Sequence, residues 1–159
     1  MSHSVSRSPT APDITVRPVK ATDEVAWSAL YSGYRAFYEE PHDDNKVAAT
    51  WGFLLDPGNE STGLVAVDAT GVIIGLAIWR EFSRPLSADR GLYLDDLFVS
   101  PDARRQRAGE RLIQALADIA RERGCGVVSW ITAEDNTTAR QLYDRVATAT
   151  QWVTYDLTP

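Results

Sequence analysis

The run from Tyr93 to Leu112 constrains this chain more than any other stretch. Tyr93-Leu94-Asp95-Asp96-Leu97-Phe98-Val99 reads as an apolar strand carrying two acids. Ser100-Pro101 closes it, and Asp102-Ala103-Arg104-Arg105-Gln106-Arg107-Ala108-Gly109 opens directly onto a helix. A strand that hands to a helix start through arginines and a glycine is suited to holding an anion. The first helical turn has unpaired N–H groups and about half a positive charge, so phosphate oxygens settle there. Arginines at that end oppose the helix dipole and cost stability unless an anion accompanies them. With two carboxylates just upstream, the stretch points to acid–base chemistry on a phosphate-bearing cofactor.

The remaining pattern fixes what surrounds that unit. Ile14–Val19 alternates as a strand, and Thr22 or Asp23 can cap a helix running to about Glu39 before Pro41. Asp43 or Asp44 caps a shorter helix with Val47, Trp51, Leu54 and Leu55, closed by Asp56-Pro57-Gly58. Leu64–Val67 and Val72–Trp79 flank the turn cluster Asp68-Ala69-Thr70-Gly71, a hairpin signal. Arg84–Gly91 reads as a loop and Leu92–Val99 as the next strand. Leu112, Ile113, Leu116, Ile119 and Ala120 keep helical spacing up to the stop at Gly124. Val127–Thr132 is a strand, Asn136 or Thr137 begins a last helix, and Gln151–Leu157 is a terminal strand. The order β-α-α-β-β-β-α-β-α-β is mixed α/β, neither a doubly wound nucleotide-binding fold nor a barrel.

Composition narrows the function classes. At 159 residues the chain is one domain, able to bury roughly two-thirds of its unfolded surface. The polar Ser- and Pro-containing stretch over residues 1–12 reads as a disordered N-terminal tail without a signal peptide's apolar run, leaving a single domain over 13–159. A net charge of −6 argues against general nucleic-acid binding and is compatible with cationic ligands. No apolar run approaches the roughly 20 residues of a membrane span. Cys125 is the only cysteine, so no internal disulfide is possible and a reducing, cytoplasmic setting is expected. His3 and His42 have no partner at metal-ligand spacing, so no metal site is expected.

From Ile14 to Leu157 the chain resembles the Gcn5-related N-acetyltransferase (GNAT) superfamily. Pro101 and Arg104-Arg105-Gln106-Arg107-Ala108-Gly109 look like its acetyl-CoA pyrophosphate loop. Asp135-Asn136 with Ala139, Leu142 and Tyr143 looks like its second cofactor-contacting helix. Tyr34, Phe37-Tyr38-Glu39, Trp51, the acidic strand and Trp152-Val153-Thr154-Tyr155 are most similar to the yeast Hpa2-like branch, which includes histone, polyamine and amino-acid acetyltransferases. The resemblance implies a twisted, mostly antiparallel sheet flanked by helices and opening in a V-shaped cofactor cleft. One departure stands out: Arg107 occupies a position usually filled by glycine, and the loop is expected to keep an ordinary right-handed backbone there.

On that resemblance, acetyl-CoA is the cofactor, and its contacts are Leu97, Phe98, Val99, Arg104, Arg105, Gln106, Arg107, Ala108, Gly109, Glu110, Asn136, Ala139 and Tyr143. The backbone of Leu97–Val99 would pair with the pantetheine arm like an added strand. Tyr143 falls on the apolar face of its helix and alone reads as a core aromatic; by resemblance it is the general acid that protonates the departing thiolate. Asp95 and Asp96 are the catalytic carboxylates that deprotonate or hold an ammonium, and as strand neighbours they are expected on opposite faces. Asn136 can cap a helix, bind pantetheine, or both. Tyr34, Tyr38, Glu39, Trp79 and Trp130, with Asp95 and Asp96, are the substrate-pocket candidates, since aromatics and carboxylates suit a cation. The expected activity is acetyl transfer to a primary amine of a small cationic molecule, a polyamine, an amino acid or a related metabolite. Protein or histone lysine acetylation and a non-catalytic acyl-CoA-binding module are the alternatives. A homodimer is compatible with the terminal strand and aromatics.

Overall fold

A computed structural model describes residues 13–159, so the tail expected over residues 1–12 lies outside the described residues. One five-stranded sheet runs in the order β1 (Thr15–Pro18), β2 (Thr62–Val67), β3 (Ile73–Arg84), β4 (Asp89–Val99) and β5 (Val128–Ser129). The first four strands pair antiparallel through hairpins or helical excursions, while β5 lies parallel to β4. A parallel neighbour requires a crossover, and α3 (Ala108–Glu122) supplies it. The helices α1 (Glu24–Phe37) and α2 (Asp44–Leu55) join β1 to β2, and α4 (Thr137–Val146) follows β5.

The sheet is covered on both faces, which explains why its central strands are apolar almost without interruption. Leu64, Ala66, Ala77, Trp79, Leu92 and Leu94 face α3, where Leu112, Leu116 and Ala120 close the larger core. Val65, Leu76, Ile78 and Phe98 face the other way, onto Trp27 and Tyr31 of α1 and Val47 and Trp51 of α2. Local chemistry sets the ends of the helices. Asp43 caps α2 by accepting from Lys46 N–H at 3.1 Å. Glu39, in a left-handed conformation at φ 57°, ends the chain's path along α1. Gly124, at φ 68°, stops α3 as its lack of a Cβ allows.

Two irregularities shape the site. In the β3–β4 ladder Ile78 pairs with Asp96 and Trp79 with Leu94, so Asp95 is an extra residue in a β-bulge. In the β4–β5 ladder only Leu92↔Val128 and Tyr93↔Ser129 pair, after which the strands part. The outer edge of β4 is thereby left open toward Val99, and the sheet opens in a V.

Three expectations are corrected. Arg84–Gly91 is not a loop: β3 and β4 continue to Arg84 and from Asp89, joined by the 3-10 turn Pro85–Ser87 and an Arg84–Asp89 ion pair at 2.8 Å. The strand expected over Val127–Thr132 is reduced to Val128–Ser129. The terminal strand Gln151–Leu157 is absent, and Trp152, Tyr155 and Leu157 are 90%, 90% and 91% exposed. A strand exists only by pairing, and among the described residues no edge is paired with this segment, whatever its alternation.

Candidate active site

Helix α1 carries Tyr31, Tyr34 and Tyr38 at spacings of three and four, which puts them on one face. Their rings follow one another, with centroids 5.6 Å apart for Tyr31–Tyr34 and 5.1 Å for Tyr34–Tyr38. Asp96 points at that row. The Tyr34 hydroxyl donates to its Oδ1 at 2.7 Å and the Tyr31 hydroxyl donates to its Oδ2 at 3.2 Å. Burial raises the Asp96 pKa, and the two phenols restrain the rise by stabilising the carboxylate. The Tyr34 phenol is pushed well above its ordinary value by burial and then by the Asp96 charge, and Tyr31 rises to about 12 for the same reasons.

The bulge overturns the expectation that Asp95 and Asp96 face opposite ways. Ile78 turns to the α1 face and Trp79 to the α3 face, so alternation returns Arg80 to the α1 face. Asp95 lies 3.3 Å from Arg80 Nε and therefore sits on the same face as Asp96. The extra residue cancels one step of the alternation. The pair is chemically divided: Asp95 is held by a guanidinium that also lies over the Tyr93 ring at 4.8 Å, and Asp96 by two phenols.

The open V holds a cavity of about 360 Å³ between the end of β4, the start of α3, α1 and α4. Leu97, Phe98 and Val99 form one wall. Arg104, Arg107 and Arg145 make one end cationic, with Gly109 and the acidic Glu110 among them, and Asn136, Ala139 and Tyr143 contribute from α4. Gln106 and Ala108 are not on the wall; Ala108 is fully buried in the core instead. The side chain of Arg105 lies outside the described residues. Gly109 lets α3 and α4 approach closely: a Cβ there would come within 3.2 Å of Leu142 Cδ2, which would have to give by a few tenths of an ångström.

Arg107 corrects a further expectation. Its backbone is left-handed, at φ 64°, immediately before α3, rather than in an ordinary right-handed conformation. An arginine there costs about 1–2 kcal/mol relative to an unstrained residue. The loop keeps the path a glycine would take and accepts a side chain on it. That side chain reaches Glu110 at 3.1 Å, while Arg104 lies over the Phe37 ring at 5.7 Å.

Tyr143 lines the cavity with its ring edge-on to Trp130 at 5.3 Å, and burial pushes its phenol up to about 12. It is therefore a protonated donor across the physiological range. Asn136 caps α4, accepting at a long 3.5 Å from Ala139 N–H, and its amide donates to Thr132 Oγ1 at 3.2 Å.

Among the substrate-pocket candidates, Tyr34 and Tyr38 stand on the cavity wall. Trp130 packs behind Tyr143. Trp79 is a core residue, 3% exposed on the α3 face, and Glu39 is exposed beyond the end of α1; neither lines the cavity. Sequence reasoning missed Tyr31, Arg80 and Arg145. Tyr31 was findable, being three residues before Tyr34 on a helix. Arg80 and Arg145 gave no local signal.

The model of the acetyltransferase (GNAT) family matches residues 27–147. The chain belongs to that family. It is 31% identical to a D-amino-acid N-acetyltransferase, HPA3, of Saccharomyces cerevisiae over 143 residues, 89% of each chain. Its fold matches a ribosomal-protein-alanine N-acetyltransferase from Brucella melitensis at a TM-score of 0.79, with 22% identity over 92% of this chain and 99% of that one. It also matches an aminoglycoside N-acetyltransferase solved in complex with CoA at a TM-score of 0.77, with 19% identity over 96% and 99%. This GNAT chain is an N-acetyltransferase, and acetyl-CoA dependence is typical of its family. The donor set suits that molecule: an open strand edge, a glycine-tight helix start and arginines gathered at one end of one cavity. Among the described residues, no helix is long and apolar enough to cross a membrane.

Proposed function

We propose that this GNAT enzyme moves the acetyl group of acetyl-CoA to the primary amine of a small cationic molecule, a polyamine, an amino acid or a related metabolite, by direct transfer in a ternary complex. The observation that carries the reading is the reach of Asp96 through Tyr34 to the wall that also bears Tyr143. The cavity thus has a proton acceptor on its α1 side and a proton donor on its α4 side. The similarity to an enzyme named for D-amino acids favours an amine of amino-acid size.

Acetyl-CoA supplies the thioester carbonyl. In this reading Arg104 and Arg107, with the N–H groups at the start of α3, hold its phosphates, and the open edge of Leu97–Val99 pairs with its pantetheine arm. The ammonium of the acceptor gives its proton to the Tyr34 oxygen as the Tyr34 proton passes to Asp96. Asp95 is engaged by Arg80 at 3.3 Å and does not line the cavity, so the proton path runs to Asp96. The freed amine forms the new C–N bond while a backbone N–H near Val99 stabilises the negative charge on the carbonyl oxygen. The C–S bond breaks, and Tyr143 delivers its proton to the sulfur.

Thiol release should be measured with acetyl-CoA and a panel of polyamines, amino acids and lysine peptides. Release with the small amines supports the reading. Release with lysine peptides alone would make this a protein acetyltransferase, and acetyl-CoA binding without amine-dependent release would make it a non-catalytic module. Tyr143→Phe should bind acetyl-CoA as the native chain does and lose about 10²–10⁴-fold in kcat. An unchanged kcat would remove Tyr143 from the reaction.

The proposal extends to assembly and setting. Trp152, Val153, Tyr155 and Leu157 are all strongly exposed on a segment with strand-like alternation, which favours a homodimer in which a second copy covers them. A single cysteine favours the cytoplasm.

A further inference from the structure

Among the described residues that line the cavity Glu110 is the only acidic side chain, and it sits inside the cationic end. Its carboxylate accepts from Arg107 Nε at 3.1 Å and from Arg145 Nη2 at 3.5 Å. Those two arginines come from different elements, Arg107 from the start of α3 and Arg145 from the last turn of α4. Both line the cavity and remain mostly exposed, with side chains 64% and 60% accessible. Two guanidiniums from adjacent helices, α3 and α4, thus converge on one carboxylate where the proposed reading needs a phosphate.

Resting on the acetyl-CoA reading, the geometry points to Arg145 as a further ligand for a CoA phosphate and to Glu110 as an internal counter-anion that competes for it. Glu110 keeps Arg107 and Arg145 turned into the cavity, offsetting the repulsion between them. A phosphate group outmatches it because its oxygens take both guanidiniums in charge-assisted, bidentate contacts. Once displaced, Glu110 remains a nearby like charge. It therefore weakens CoA binding and speeds product release, while Arg145, beside it on α4, opposes it. The long Arg145 contact and the exposure of both arginines keep each effect modest, because solvent screens such pairs.

Kd for CoA and for 3′-dephospho-CoA, from calorimetric titration of the full chain, tests this. Glu110→Gln should bind CoA about three- to tenfold more tightly and Arg145→Gln about three- to tenfold more weakly, in proportion to partly screened charge pairs. Arg145→Lys should recover part of the loss. A loss confined to CoA would assign Arg145 to the 3′-phosphate, and an equal loss with dephospho-CoA would assign it to the diphosphate; either supports the inference. Tightening by Glu110→Gln is a result that damage to the fold does not produce, and thermal unfolding of each variant accompanies the titrations. Weaker or unchanged binding in Glu110→Gln overturns the competitor role. Unchanged binding in Arg145→Gln overturns the ligand role. If the native chain itself gives no CoA binding, the acetyl-CoA reading falls and takes this inference with it.

Discussion

Helix α1 is flanked by two carboxylates in contrasting settings. At its start Asp23, 7% exposed, accepts from both terminal nitrogens of Arg17 at 2.7 and 2.9 Å and from Lys20 N–H at 2.8 Å. Farther along, Asp96 accepts, among the described residues, only from phenols on the same helix, Tyr34 and Tyr31. The Arg17 partner holds the Asp23 pKa below the usual carboxylate range, whereas burial without a cation raises that of Asp96. A guanidinium fixes a charge in place. A phenol stabilises the charge more weakly and leaves the oxygen able to take a proton. The first arrangement suits an anchor and the second a proton acceptor.

The two groups tie stability to pH in opposite senses. The Asp23 contribution is complete above the ordinary carboxylate value of about 4 and is lost as pH falls through its lowered folded value. The Asp96 contribution is complete below that ordinary value and is lost as pH rises through its raised folded value.

The largest expected effect that separates them is on turnover. Asp96→Asn should lower kcat by about 10²–10⁴-fold and erase the acid limb of the pH–rate profile, along which rate rises as Asp96 loses its proton. Cofactor affinity should be unchanged, and a variant that retains the limb would assign it to another group. Asp23→Asn should do the reverse, leaving kcat intact while costing about 1.5–3 kcal/mol of stability, read from the denaturant midpoint at neutral pH. Its deficit should shrink as the pH falls through the lowered Asp23 value, and a constant deficit would break the contrast. The smallest effect is expected for Tyr31→Phe, which deletes the longer of the two phenol bonds to Asp96. With a neutral partner worth about 0.5–1.5 kcal/mol, the acid limb should move up by no more than about one pH unit. A downward shift would show that Tyr31 does not stabilise the carboxylate.

Much of the site was legible because it is local. The arginines, Gly109, Asn136 and Tyr143 lie in two short blocks whose helical or loop setting follows from spacing and punctuation, and most of them line one cavity. Three features were not legible. The bulge at Asp95 arises from registry between two strands, which no property of Asp95 itself announces. Arg107 adopts a left-handed backbone that its residue type disfavours, because the loop's path is set at both ends by β4 and α3. Trp79 has the same aromatic character as Trp130, yet alternation along β3 sends it into the core.

Sequence alone determined the kind of fold and the chemistry available to it. Apolar periodicity specified the helices and the doubly covered strands, and the strand–loop–helix block specified an arginine-rich helix start, since both depend on residues adjacent in the chain. Tertiary structure decided which carboxylate is poised for a proton. A strand register turned Asp95 and Asp96 to one face, and burial against tyrosines 62 and 65 residues away left one of them without a cation. It also decided that the final segment has, among the described residues, no strand to join, because a β-strand is a relation between two segments and cannot be read from either one.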